Sequence, residues 1–157
     1  MRAAAILAHG GTENVAVIER PDPVPGPGQA LVEIAVCALN RLDLFVLEGM
    51  PGLPVDLPRI PGSDAAGVVR MVGEGVGADW AGRRVLIDPI IRLPGGRAGA
   101  MGEHADGNMR TLTAVEEANL VALPDAVSLE AAATLPIAYG TAHRMLFERG
   151  RLAAGEL

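Results

Sequence analysis

Aromatic side chains make up only 3% of this 157-residue chain, so its core has to be assembled from Ala, Val, Leu and Ile rather than from large rings. Cysteine occurs once, as Cys37. That excludes an internal disulfide and any zinc site drawing more than one thiolate from this chain. Lysine is absent: all 13 basic residues are arginine, which points to a GC-rich bacterial genome. A formal net charge of −6 leaves no cationic excess to attract nucleic acid or an anionic membrane. No apolar run approaches the roughly 20 residues that span a bilayer. The Arg-led apolar start, MRAAAILAHGG, is too short for a secretory leader and runs into a polar strand with no cleavage-type sequence. The expectation is a soluble, cytoplasmic protein.

What the chain does have is apolar residues over half its length, cut into short runs by 20 Gly and 12 Pro. That pattern, at a length suited to one domain, points to a mainly β fold with many turns. Arg2 to Leu7 and Asn14 to Arg20 read as strands joined by a Gly turn. PDPVPGPG, Pro21 to Gly28, carries four prolines, which remove donors and fix φ, so it reads as a surface loop. Ala30 to Ala38 alternates at period two. Arg41 to Glu48 places Leu42, Phe45 and Val46 at helical spacing and closes at Gly49. Pro51 to Pro61, again with four prolines, reads as a crossover. Ala65 to Val72, Arg84 to Ile87, Asn108 to Val115 and Leu120 to Leu123 read as strands. Cys37, inside an apolar strand, reads as a buried structural thiol.

Two motifs invite a sharper reading. Gly73-Glu74-Gly75-Val76-Gly77 looks like part of a dinucleotide fingerprint, but such a loop requires a following helix and an acid about 20 residues on. Asp79-Trp80-Ala81-Gly82 and a strand follow instead, so it reads as a turn. Glu103, His104 and Asp106 are oxygen and nitrogen donors close together in a Gly-rich loop, where solvation is the commoner fate than cation binding. From Ser128 the period becomes helical: Ser128 is the N-cap, Glu130 sits in the first turn, and Ala131-Ala132-Ala133 propagates. Pro136 interrupts, and a second helix is expected from Ile137 to Glu148.

The phrases ALNRLDL, IPGSDAAGVV and LPIAYGTA, in this order and at these separations, resemble the GroES-like catalytic domain of the medium-chain dehydrogenase/reductase superfamily, over Met1 to about Gly150. The resemblance implies a partly open β-barrel with C-terminal helices that lead toward a Rossmann domain. Zinc alcohol dehydrogenases of that superfamily carry a Cys ligand where this chain has Asn40, a His-Glu pair at Ser63-Asp64, and a third ligand near Pro136 or Ile137. Their four-cysteine structural zinc lobe falls in Pro89 to Gly107, which holds no cysteine and looks shortened. Their proton-relaying hydroxyl matches Leu42. The resemblance therefore points to the zinc-free quinone oxidoreductase branch, with neither catalytic nor structural zinc.

In that branch Asn40 lies beside the nicotinamide, where its amide orients either the carboxamide or the substrate carbonyl; its other role is to support a tight turn. Arg41 matches a contact to the cofactor pyrophosphate, against the alternative of a surface salt bridge. Thr141 matches a residue packed on the nicotinamide face. Asp43 and Asp64 read as scaffold, holding turn backbone or Arg partners, and Tyr139 as an aromatic wall. No acid-base pair stands out.

The implied function is the substrate side of an NADPH-dependent reductase of quinones or α,β-unsaturated carbonyls, with NADPH held mainly by a Rossmann domain beyond Leu157. The full-length protein is expected to be a homo-oligomer, and the 157 residues alone to be inactive. Two alternatives stand beside it: a stand-alone GroES-like binding module without chemistry, and a fragment of a zinc-type alcohol dehydrogenase.

Overall fold

The computed structural model describes residues 1–52 and 54–156. Strands β1 (Arg2–Ile6) and β2 (Val15–Glu19) form an antiparallel ribbon across the Gly turn. Next come β3 (Gln29–Ala38), helix α1 (Arg41–Glu48), β4 (Asp64–Val72) and β5 (Arg84–Ile87). A small hairpin of β6 (Ile90–Arg92) and β7 (Ala98–Ala100) leads to β8 (Leu112–Glu116) and β9 (Leu120–Ala122). The main sheet has the order β8-β3-β4-β5-β9 and is antiparallel throughout. Single bridges, Ala3 to Arg110 and Ile6 to Arg59, tie the β1-β2 ribbon to the segments that precede β8 and β4. The three sheets do not join into a closed barrel. This is the partly open, mainly β architecture that the turn-rich composition and the motifs anticipated.

The core is aliphatic, as the scarcity of rings required. Ala30, Val32, Ala65, Val69, Val85, Ile87, Val115 and Leu120 meet between the strands, joined by Met101 from the loop after β7. A second cluster explains how the C-terminal helices attach. Ala66 of β4 packs on Ala132 and Ala133 of α2 (Leu129–Ala133), and side chains this small let a helix backbone approach a strand closely. Ser128 caps α2, its Oγ accepting from the Ala131 N–H at 3.1 Å.

One hairpin was not anticipated, and two expectations need correction. The segment from Pro89 to Gly107 holds the β6-β7 hairpin, whose three-residue strands are too short to show a period. The strand expected from Asn108 begins only at Leu112. The backbone N–H groups of Gly107, Asn108 and Met109 donate instead to the carbonyls of Ile60, Gly62 and Pro61, at 2.7, 2.7 and 3.0 Å. Beyond α2 the chain does not stop at Pro136 and restart as one regular helix over Ile137 to Glu148. It winds on through a wide π-type turn at Leu135–Tyr139, a short α3 (Gly140–His143) and a second wide turn at Arg144–Arg149. Widening the turn absorbs the missing donor and the ring clash that Pro136 imposes. The Pro51 to Pro61 crossover has neither helix nor strand among its described residues; Leu53 within it and Leu157 at the end of the chain lie outside them.

Glycine is required sterically at one strand crossing. Gly67 of β4 faces the irregularity in β3 between Ile34 and Val36, and a Cβ there would overlap the Glu33 carbonyl. Gly75, by contrast, has a φ of +81° with open space around it, so a side chain meets only backbone strain. Gly67→Ala is expected to lower stability by about 3 kcal/mol or more, and Gly75→Ala by about 1 kcal/mol, in urea unfolding of the two variants. Equal losses would show that the strand crossing relaxes freely.

Candidate functional site

The site is built on the N-terminus of α1. Asn40, in extended conformation, is the N-cap and Asp43 the N3 residue of a capping box. The Asp43 carboxylate accepts from the Asn40 N–H through Oδ2 and from the Gly62 N–H through Oδ1, both at 2.8 Å. One buried acid thereby staples the turn before α1 to the turn before β4. Gly62 has a φ of +94°, and a Cβ there would come within 2.8 Å of the Cys37 sulfur, so the close approach depends on glycine.

Two residues on, Asp64 extends the network across the fold. Its Oδ2 accepts from the Asn40 side-chain Nδ2 at 2.9 Å, and its carboxylate accepts from the Ile137 N–H at 3.1 Å through Oδ1 and 3.3 Å through Oδ2. The wide turn at Pro136 takes this N–H out of the regular helical ladder, and Asp64 satisfies it. Asp64 is 1% exposed. Burial raises its carboxyl pKa above the ordinary value and the nearby Asp43 adds to that, while the Asn40 amide and the Ile137 N–H pull it down. Neither Asp43 nor Asp64 takes an Arg partner: both hold N–H groups.

The expected site residues separate as follows. Asn40 is half-buried and joined through Asp64 to the helical segment that carries Thr141 four residues beyond Ile137. Arg41 is exposed, its guanidinium 5.4 Å from the centre of the Phe45 ring. Thr141 is exposed on α3 and Tyr139 is 64% exposed beside it. The turn role of Asn40 is thus visible directly, and its amide retains one hydrogen beyond the bond to Asp64. Sequence reading missed the bridging role of Asp64. Its signal was Pro136, because a proline in a helical run leaves backbone groups that some acceptor or donor has to satisfy.

The same segment borders an apolar cavity of about 210 Å³, lined by Leu86, Pro89, Ile90, Val121, Pro136 and Ile137, with Asp88 adding a carboxylate. Its size suits a small apolar group rather than a polar polymer.

The side chains at the positions of metal ligands in zinc relatives are committed elsewhere. The Ser63 hydroxyl, fully buried, donates to the Met101 carbonyl at 2.8 Å, Asp64 is engaged as above, and Pro136 and Ile137 have no donor atoms in their side chains. This set does not fit a catalytic zinc, which requires three ligating side chains around one point. Of Glu103, His104 and Asp106 only the first two stay together, the His104 Nδ1 3.5 Å from a Glu103 carboxylate oxygen and accepting from the Ala100 N–H at 3.3 Å, while Asp106 turns away to pair with Arg20 and accept from the Ile60 N–H, both at 3.1 Å. Among the described residues no three His, Cys, Asp or Glu side chains are placed to share a metal ion. No described helix is long and apolar enough to cross a membrane.

Comparison with known proteins places this geometry. The model of the alcohol dehydrogenase GroES-like domain matches residues 26–125. The synaptic vesicle membrane protein VAT-1 homolog of Mus musculus is 35% identical over 157 residues, covering 99% of this chain and 35% of that protein. The quinone oxidoreductase of Mus musculus is 30% identical over 157 residues, covering 99% of this chain and 43% of that protein. Among solved structures, an NAD-dependent alcohol dehydrogenase superposes with a TM-score of 0.92 at 33% identity, over 99% of this chain and 49% of that one. The chain therefore spans between about a third and a half of the relatives it matches.

Two outcomes follow from the buried groups. Burial pushes the Cys37 thiol up to about 12, with Asp43 and Asp64 adding to the rise. Disulfide-exchange reagents at pH 8 are expected to modify Cys37 at least about a thousandfold more slowly in the folded chain than in denaturant; comparable rates would mean an accessible thiolate. For Asp64 the folded pKa lies above the unfolded one, so its contribution to stability is fully present below the unfolded pKa and falls as pH rises through the folded value. The stability advantage of the wild type over Asp64→Ala is therefore expected to be larger near pH 4 than near pH 8. An advantage that grows with pH would reverse the assignment.

Proposed function

The chain belongs to the alcohol dehydrogenase GroES-like domain family of the medium-chain dehydrogenases/reductases, and from that premise we propose that it forms the substrate side of a zinc-independent NAD(P)H-dependent reductase. The substrates proposed are quinones or α,β-unsaturated carbonyl compounds. The partner proposed is a Rossmann domain of the same full-length protein, which would hold most of the dinucleotide, with NADPH as the cofactor.

The observation that carries this reading is the donor set around Asn40. Where a zinc enzyme gathers three ligands, this chain has an amide, a buried hydroxyl committed to a backbone carbonyl beside a carboxylate already taking two N–H donors, and a Pro or Ile side chain with no donor atom. Such a site positions and does not ionise an alcohol. Alcohol oxidation by zinc depends on a metal that lowers the pKa of the bound hydroxyl. Hydride addition to an activated C=C needs orientation and exclusion of water instead. A bound nicotinamide would supply the hydride.

This chain's own residues fit that cofactor. Arg41 is an exposed planar cation beside the site, suited to a pyrophosphate. The Asn40 amide keeps a hydrogen for a carbonyl oxygen, and Thr141 stands exposed on the segment that Asp64 holds. The apolar cavity beside Ile137 offers a wall to the substrate's hydrocarbon part. The sequence relation to a quinone oxidoreductase supports the same class.

The test is NADPH and NADH consumption by the intact protein with a simple quinone and with an enone. The expected result is turnover that survives a zinc chelator, in protein containing far less than one zinc per chain, and an Asn40→Ala variant slower by about ten- to a hundredfold. The 157 residues alone are expected to give none. Stoichiometric zinc, with activity lost on chelation, would favour the alcohol dehydrogenase alternative; a full-length chain with no dinucleotide binding would favour a binding module.

A further inference from the structure

Asp64 has no part in the chemistry described above, yet its side chain bonds both elements that face the proposed nicotinamide. The residue is buried at the start of β4, with Asp43 of α1 and the Cys37 thiol of β3 as its titratable neighbours. An acid is costly in such a place unless its oxygens are used. Here one oxygen takes a hydrogen of the Asn40 amide, and both oxygens lie within reach of the Ile137 N–H.

We propose that Asp64 is the positioning residue of the site. Its carboxylate fixes which way round the Asn40 amide sits, and it sets the place of the Ile137 turn and of Thr141 beyond it. What each group can donate or accept decides this orientation. The Asn40 side chain sits at the N-terminus of α1, where converging backbone N–H groups favour an oxygen over an NH2. The Asn40 nitrogen faces a group that accepts only. The two constraints agree, so the amide cannot flip without placing an oxygen against a carboxylate and an NH2 against the helix N-terminus. What remains to Asn40 is one amide hydrogen, which commits it to recognising a carbonyl oxygen, either that of the nicotinamide carboxamide or that of the substrate.

The Ile137 side of the bridge matters as much. Beyond Ala133 the helical chain turns wide and its residues from Ala138 to Gly150 are exposed. The Asp64 bond to Ile137 therefore holds the start of a segment that has little else of this domain to lean on. An asparagine at position 64 would not replace the acid. With its oxygen in the Oδ2 place it keeps the Asn40 bond but turns an NH2 toward the Ile137 N–H, and turned the other way it sets that NH2 against the Asn40 NH2, so the bridge is weakened on one side or the other.

This inference rests on the proposed reductase function for its consequence, and its test is chosen to fail separately. In the intact protein without cofactor, hydrogen exchange at the Ile137 amide and the side-chain amide resonances of Asn40 are measured for the wild type, Asp64→Asn and Asp64→Ala. Asp64→Ala is expected to speed Ile137 exchange about tenfold or more and to shift the Asn40 side-chain signals. Asp64→Asn, which keeps the volume and is the variant to use should the alanine fail to fold, loses one of the two effects. Unchanged exchange and unchanged Asn40 signals in either folded variant would overturn the proposal.

The second readout is dissociation of NADPH or NADH. Asn40→Ala and Asp64→Ala are each expected to weaken it about three- to tenfold, and the double variant no further than the worse single one. Independent, multiplying losses would show that Asp64 does not act through Asn40. Unchanged cofactor affinity with a raised KM for the carbonyl substrate would assign the Asn40 hydrogen to the substrate oxygen. Absence of dinucleotide binding in the wild type would sink the reductase reading, while the exchange and resonance measurements still decide the role of Asp64.

Discussion

The buried turn Pro61–Asp64 holds the site side of the molecule together, because hydrogen bonds from several distant segments end on four consecutive residues. The Gly62 N–H meets Asp43 of α1, and the carbonyls of Pro61 and Gly62 take the Met109 and Asn108 N–H groups. The Ser63 hydroxyl reaches Met101, and Asp64 takes the Asn40 amide and the Ile137 N–H. Each of these is a polar group removed from water, so each requires its partner. The geometry they share admits little side-chain bulk: Gly62 lies against Cys37, and a Cβ at Gly107 would overlap the carbonyls of Pro61 and Gly62. The β-sheet supplies rigidity to this knot, and the knot ties the start of α1 to the C-terminal segment through Asp64.

That arrangement accounts for how the proposed site, with no strong acid or base, would select a ligand. Asp43 and Asp64 are spent on N–H groups, and Cys37 is held as a thiol by burial and by its two acidic neighbours. What is left to meet a ligand is an amide hydrogen, an exposed guanidinium, a hydroxyl and an apolar hollow. These groups orient and shelter, which is what a domain facing a redox cofactor has to contribute when the cofactor carries the reaction.

Much of the fold was legible in local pattern. The helix at Arg41–Glu48 was bounded by a capping residue and a glycine, the turn from Gly73 to Gly82 lacked the helix a phosphate loop needs, and Ser128 announced α2. The misses have physical causes. Three-residue strands such as Ile90–Arg92 show no period, and the Asn108 stretch has strand-like composition but spends its backbone on the turn at Pro61. Asn40, Arg41 and Thr141 could be named from motif, but their arrangement depends on a bond between Asp64 and Ile137, 73 residues apart. No local rule reaches that far. The clue lay in the proline next to Ile137, whose consequence for a neighbouring N–H becomes readable only when the acceptor is seen.

The central claim is that the space between α1 and the Ile137 turn holds a nicotinamide oriented by protein groups, without a metal. A crystal structure of the intact protein with NADPH or NADH bound tests it most directly. The account predicts the nicotinamide ring beside Asn40 and Thr141, a carbonyl oxygen of cofactor or substrate within hydrogen-bond distance of the Asn40 amide nitrogen, and Asp64 still bridging Asn40 and Ile137. A metal ion coordinated by Asp64, or a nicotinamide seated away from Asn40, would contradict it.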